Sequence, residues 1–243
     1  MYLYLLRHGQ TASAKARTHN QFMVTNGPNE KTLTFEGKAE VERVGEALAM
    51  LKIKPDTIIT SPLKRSYQTA EIIDSILFDN KNRKSRKSHQ IGRFQVWNDL
   101  APEGDPAKVF EKLSKFKYDS KILVVGHEPF LSELIYEVLN TAAYNNIVGT
   151  SNGDSSNGRH RRHNHSSPPS TPFLNNVDRG IALKKSGLAK LRIFTKGRML
   201  TGELRWLLTP KLLKKLSLAK KKSRIMTQKN LNMTTGDISP SMR

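Results

Sequence analysis

The sequence predicts an α/β layered fold on a mostly parallel sheet. Apolar runs of strand length alternate with helix-period segments, and three of the runs end in charged or turn-forming clusters. MYLYLL (Met1–Leu6) reads as the first strand and gives way at once to Arg7, His8 and Gly9. In FEGKAEVERVGEALAML (Phe35–Leu51), Val41, Val44, Leu48 and Leu51 recur at helical spacing, so an amphipathic helix is expected there. DTIIT (Asp56–Thr60) is the next strand. Ser61 then offers an N-cap and Pro62 the first position of a helix running through LKRSYQTAEIIDSIL (Leu63–Leu77). FQVWN (Phe94–Asn98) reads as a strand, PAKVFEKLSKF (Pro106–Phe116) as a helix, KILVVG (Lys121–Gly126) as a buried strand and PFLSELIYEVLNTAA (Pro129–Ala143) as a helix. GIALKKSGLAKLRIF (Gly180–Phe194) and GELRWLL (Gly202–Leu208) alternate as an antiparallel edge pair would.

Composition sets the outer limits. The chain has 243 residues, 37% of them hydrophobic, which is enough for a real core. It contains no cysteine, so disulfides, thiolate metal sites and cysteine nucleophiles are excluded. The apolar N-terminus is too short and too soon charged for a secretory signal, and no run is long enough to span a membrane. A cytoplasmic protein with no membrane partner is therefore expected. Lys and Arg total 41 against 21 Asp and Glu, a net charge of +20 that attracts anions. Much of the excess sits in NKNRKSRKSH (Asn80–His89) and KLLKKLSLAKKKSR (Lys211–Arg224).

Segments 79–95 and 145–180 are too polar, or too rich in Ser, Asn, Gly and Pro, to offset the entropy of ordering them. They are expected to be disordered insertions within one domain over 1–217, followed by a basic flexible tail over 218–243. The basic insertion and tail are candidates for weak polyanion binding by counterion release, though they lack the interleaved aromatics that would stack on bases. HRRHNH (His160–His165) carries histidines spaced for a transition metal, but its Ser/Asn/Pro-rich setting favours solvated loop, and no metal is expected.

The functional signal lies at the strand ends. In a parallel sheet the carboxyl ends of the strands converge on one edge, where ligands bind. Arg7 and His8 after the first strand, Arg65 after the second and His127 after KILVVG are thereby expected to meet. Taken singly, each histidine reads as a structural residue and Arg65 as a surface charge. Together they read as a pocket for a tetrahedral dianion, because guanidinium forks match phosphate oxygens.

Arg7-His8-Gly9, SPLKRSYQTA (Ser61–Ala70) and GHEP (Gly126–Pro129), in that order and each after its strand, resemble the RHG, SPxxRxxQTA and second-histidine motifs of the histidine phosphatase superfamily, the phosphoglycerate mutase-like proteins. KTLTFEG (Lys31–Gly37), LAPEGD (Leu100–Asp105) and GELRWLLTPKLL (Gly202–Leu213) are further similar to SixA-type phosphohistidine phosphatases, with Thr32 in place of their usual proline. The resemblance covers the chain outside the insertions and tail. It implies a three-layer α/β/α sandwich with a mostly parallel central sheet. It also implies a phosphatase without cofactor, in which His8 is the nucleophile forming a phosphohistidine intermediate and Arg7, Arg65 and His127 bind the phosphoryl oxygens. Glu103 and Asp105 are candidate general acids, set against a plain role as helix N-terminal charges. The substrate so implied is a phosphohistidine protein. A phosphomonoesterase or mutase acting on small esters is the neighbouring reading, and a non-catalytic polyanion-binding module the reading from another class.

Overall fold

The computed structural model describes residues 1–12, 31–78, 93–149, 181–196 and 199–219, apart from the side chains of 141–149 and 195–200. Its strands are β1 (Tyr2–Arg7), β2 (Thr57–Thr60), β3 (Phe94–Val96), β4 (Lys121–Gly126), β5 (Leu188–Lys196) and β6 (Met199–Leu208). Its helices are α1 (Phe35–Met50), α2 (Lys64–Phe78), α3 (Pro106–Leu113), α4 (Phe130–Gly149) and α5 (210–219). The strands form one sheet in the order β3-β2-β4-β1-β5-β6. β3, β2, β4 and β1 run parallel, and β5 and β6 add an antiparallel margin.

Strand alternation divides the core into two layers. Leu3 and Leu5 of β1, Ile59 of β2 and Ile122 and Val124 of β4 point to one face. There they meet Val109 and Leu113 of α3 and Leu131, Leu134 and Val138 of α4. Tyr4, Leu6, Ile58, Leu123 and Val125 point to the other, against Val41, Val44 and Leu48 of α1 and Ala70 and Ile73 of α2. Burial on both faces is why MYLYLL and KILVVG read as continuous apolar runs rather than alternating ones. The product is the three-layer α/β/α sandwich that the sequence implies.

The boundaries differ in ways that have physical causes. α2 begins at Lys64 rather than at Pro62: the first helical acceptor is the Leu63 carbonyl, which receives the Tyr67 N–H at 3.0 Å, while the Ser61 hydroxyl receives the Leu63 N–H at 3.4 Å and bonds to His127. Residues 181–187 form a turn rather than part of a strand, so β5 starts at Leu188. α4 runs to Gly149, past the expected start of the second insertion, and β3 occupies the end of the first. α5 carries LKKLSLA across position 217 with Leu213 and Ser217 buried, because its apolar positions fall at helical spacing. The remaining parts of both insertions and of the tail, HRRHNH included, lie outside the described residues.

The start of α1 brings two glycines together. Thr34 caps the helix by accepting the Gly37 N–H at 3.0 Å, while its own N–H donates to the Gln10 carbonyl at 3.0 Å. A Cβ on Gly37 would lie 2.2 Å from that carbonyl oxygen, and one on Gly9 would lie 2.6 Å from Val41 Cγ2. Glycine is needed at both for close approach. In an open helix Gly→Ala stabilises by up to about 1 kcal/mol. Here Gly37→Ala is expected to reverse the sign and destabilise by about 1–3 kcal/mol, read as a lower urea midpoint.

Candidate active site

The parallel register assembles the site. Arg7 is paired with Gly126 and Thr60 with Val125, so the next residue of each strand, His8, His127 and Ser61, emerges at the same edge. The His8 N–H donates to the Gly126 carbonyl at 3.0 Å, and the two imidazole centroids stand 5.2 Å apart. Arg65, in the first turn of α2, donates from Nε to His8 Nε2 at 3.2 Å. His8, Arg65 and His127 thus meet as the strand-end reading requires. Arg7 shares their field but donates through NH1 to the Leu183 carbonyl at 2.7 Å.

A hydrogen bond assigns the tautomer of His8. His8 Nδ1 lies 2.7 Å from the carbonyl oxygen of Gly9, which can only accept, so Nδ1 carries the proton. Its Nε2 keeps a lone pair, directed at Arg65. Burial, and then the charges of Arg65, Arg7 and Lys185, push the His8 pKa down to about 4 against the pull of the Gly9 carbonyl. The ring is therefore neutral near pH 7. His127 Nε2 lies 2.8 Å from Ser61 Oγ and 3.3 Å from Ser66 Oγ. The Ser61 hydroxyl, which also receives the Leu63 N–H, and the Ser66 hydroxyl together hold that nitrogen in place. Burial first, and then Arg65, His8 and Arg7, lower the His127 pKa to about 3.

Two side-chain nitrogens at this edge are buried without a hydrogen-bond partner: Arg7 Nε and His127 Nδ1. Leaving such groups unsatisfied costs about 1–3 kcal/mol each, more for the charged one. An oxyanion accepting from both would recover that cost.

The rest of SPLKRSYQTA is anchoring. Thr69 Oγ1 accepts the Gly9 N–H at 3.1 Å while donating to the Arg65 carbonyl at 2.7 Å, tying the loop after β1 to the helix that carries Arg65. Gln68 Oε1 accepts the Leu33 N–H at 2.9 Å.

Sequence reasoning missed the turn over residues 181–187. Glu128 Oε1 accepts the Leu183 N–H at 2.7 Å, and Arg7 holds the carbonyl of the same residue, so Leu183 is gripped from both sides. Glu128 Oε2 is in turn held by the N–H and hydroxyl of Ser132. The Ser186 N–H donates to the carbonyls of Arg7 and His8 at 3.1 and 3.2 Å, and its hydroxyl to Glu40 at 2.8 Å. The signal that would have found Glu128 is its place in GHEP. The turn itself carries no motif.

Glu103 and Asp105 are both exposed. Asp105 caps α3, its Oδ1 accepting the Ala107 N–H at 2.9 Å, and neither carboxylate bonds to His8, Arg7, Arg65 or His127. Among the described residues no group of three or more His, Asp or Glu side chains is placed to hold a metal ion, and no helix is long and apolar enough to cross a membrane.

Residues 3–79 match the model of the histidine phosphatase superfamily, branch 1. The solved structure of the protein histidine phosphatase SixA complexed with tungstate superposes with a TM-score of 0.56 at 19% identity, covering 88% of this chain and all of that one. In its motifs, in the family match over residues 3–79 and in its fold, the chain is similar to the histidine phosphatase superfamily. An uncharacterized protein of Picosynechococcus is 29% identical over 136 residues, 55% of this chain and 70% of that protein. The 2,3-bisphosphoglycerate-dependent phosphoglycerate mutase of Bifidobacterium longum is 44% identical over 70 residues, 29% of this chain. The matched stretch thus spans only about a quarter of the mutase, 26% of its length.

The two histidines make acid the weak side of the fold. Their folded pKa values, about 4 and about 3, lie below the ordinary 6.5, so in that interval the unfolded chain binds more protons. Their contribution to stability is expected to be complete above pH 6.5 and to fall as pH drops toward those folded values. NMR titration of the ring signals should find both neutral at pH 5.5. An ordinary midpoint near 6.5 for His8 would contradict the assignment.

Proposed function

We propose that this chain is a histidine phosphatase that hydrolyses phosphohistidine in a protein substrate through a covalent phosphohistidine intermediate on His8. The observation that carries the reading is the state of His8: a neutral imidazole, proton held on Nδ1 by its own Gly9 carbonyl, presenting the Nε2 lone pair beside a guanidinium. Arg65 bonds that lone pair in the free protein, and an arriving phosphoryl group would take its place as acceptor. Arg7 Nε and His127 Nδ1, buried without partners, are further donors for the equatorial oxygens. The SixA structure holds tungstate, a tetrahedral oxyanion of the same shape as phosphate, which supports this use of the fold.

In the first step the Nε2–P bond forms as the bond from phosphorus to the substrate's imidazole nitrogen breaks, and the departing imidazole takes up a proton. In the second, water attacks phosphorus, the Nε2–P bond breaks, inorganic phosphate leaves and the surplus proton passes to solvent. Both steps spread charge over three oxygens, so positioning and positive charge are most of the catalysis. Expelling imidazole places little demand on a general acid, which accords with Asp105 being occupied as a helix cap and Glu103 standing exposed.

The mutase likeness, 44% over 70 residues, keeps small phosphate esters as the second reading. Incubation with a labelled phosphohistidine protein is expected to leave an acid-labile label on the wild type and none on His8→Ala, with turnover lowered at least about 1,000-fold. Arg65→Ala is expected to lose about 100-fold in kcat. Absence of label on the wild type would overturn the covalent mechanism, and faster turnover of an aryl phosphate would overturn the phosphohistidine assignment.

A further inference from the structure

We propose that Lys185 determines specificity by binding a second anionic group, a carboxylate, that the substrate carries beside its phosphoryl group. This rests on the phosphoryl site described above but not on phosphohistidine as its occupant.

The placement is built by the backbone. Lys184 to Gly187 form a tight turn closed by the Gly187 N–H on the Lys184 carbonyl at 2.7 Å, with Ser186 in the left-handed region at φ 59°. That turn is fixed against the site from several directions. The Ser186 N–H bonds the carbonyls of Arg7 and His8, the Ser186 hydroxyl bonds Glu40, and the Gly187 carbonyl accepts the Arg7 N–H at 3.1 Å. Leu183, just before the turn, is gripped by Arg7 and Glu128. A lysine at the second position of a turn so held is presented at the site's rim with little backbone freedom. Lys185 is half-buried, and no carboxylate among the described residues pairs with it. Its charge reaches His8, alongside those of Arg65 and Arg7.

The division of labour follows from the donor set. On the proposed reading His8 bonds phosphorus while Arg7, Arg65 and His127 receive its oxygens, so a further ammonium at the edge is surplus to a phosphoryl group alone. A long, flexible point charge outside that cage suits an anion displaced from phosphorus by a few bonds. For a protein substrate the carboxylate would be an Asp or Glu close to the phosphorylated residue. For a small ester it would be an acid group on the alcohol.

Binding of two non-hydrolysable ligands of similar size, 3-phosphonopropionate and propylphosphonate, tests this by calorimetry without requiring turnover. The wild type is expected to bind the carboxylated ligand about fivefold more tightly, the scale of a partly exposed ion pair. Lys185→Gln should bring that ratio to about one, Lys185→Arg should keep it, and higher salt should shrink it. Lys184→Gln, on the exposed neighbour, should leave the ratio intact. Equal wild-type affinities would overturn the proposal. So would a ratio that survives Lys185→Gln, or one that Lys184→Gln lowers as much, which would mean a diffuse field rather than a contact. Because the readout is an affinity ratio, it stands or falls separately from the labelling experiment with His8→Ala.

Discussion

The parallel pairing of β1 with β4, Arg7 opposite Gly126, is the constraint on which the site depends. Side chains alternate between faces along a strand, so a slip of one residue would send His8 to the opposite side from His127 and turn the core residues of β1 outward. The register is protected by what it buries. Leu3 and Leu5 enter one layer, and Tyr4 and Leu6 the other, so neither face tolerates the exchange. The same apolar contacts that stabilise the sheet therefore set the distance between the two imidazoles.

Burial has a second effect at this edge. It withdraws His8 and His127 from water, which favours their neutral forms, and the arginines reinforce the trend. An imidazole that stays unprotonated and a cluster of cations that stays charged ordinarily make conflicting demands on a local environment. Here they are compatible because guanidinium holds its proton where imidazole gives it up.

The parts of this arrangement that were legible in the sequence are those encoded locally. Strand-ending clusters placed Arg7, His8, Arg65 and His127 on one edge, since each needs only its own strand and the parallel order. Both faces of the sheet and the antiparallel margin were legible for the same reason. Ser61 was readable as a helix cap but not as a partner of His127, because that contact joins residues 66 apart. Ser186 and Glu40 are 146 apart, and nothing in KKSG signals that its backbone will rest on the loop after β1. Helix ends shifted where the apolar spacing ran on into segments judged polar as a whole, as at α4 and α5.

The grip on Leu183 links the two ends of the molecule. Arg7 ends β1, yet the carbonyl that orients its guanidinium lies 176 positions later. Every other member of the anion cage is present by His127, so the cage is complete in composition well before it is complete in geometry. Until the turn before β5 docks on the sheet, Arg7 lacks the carbonyl that holds its guanidinium. The alignment of that arginine thereby depends on a backbone carbonyl far along the chain rather than on any reactive side chain.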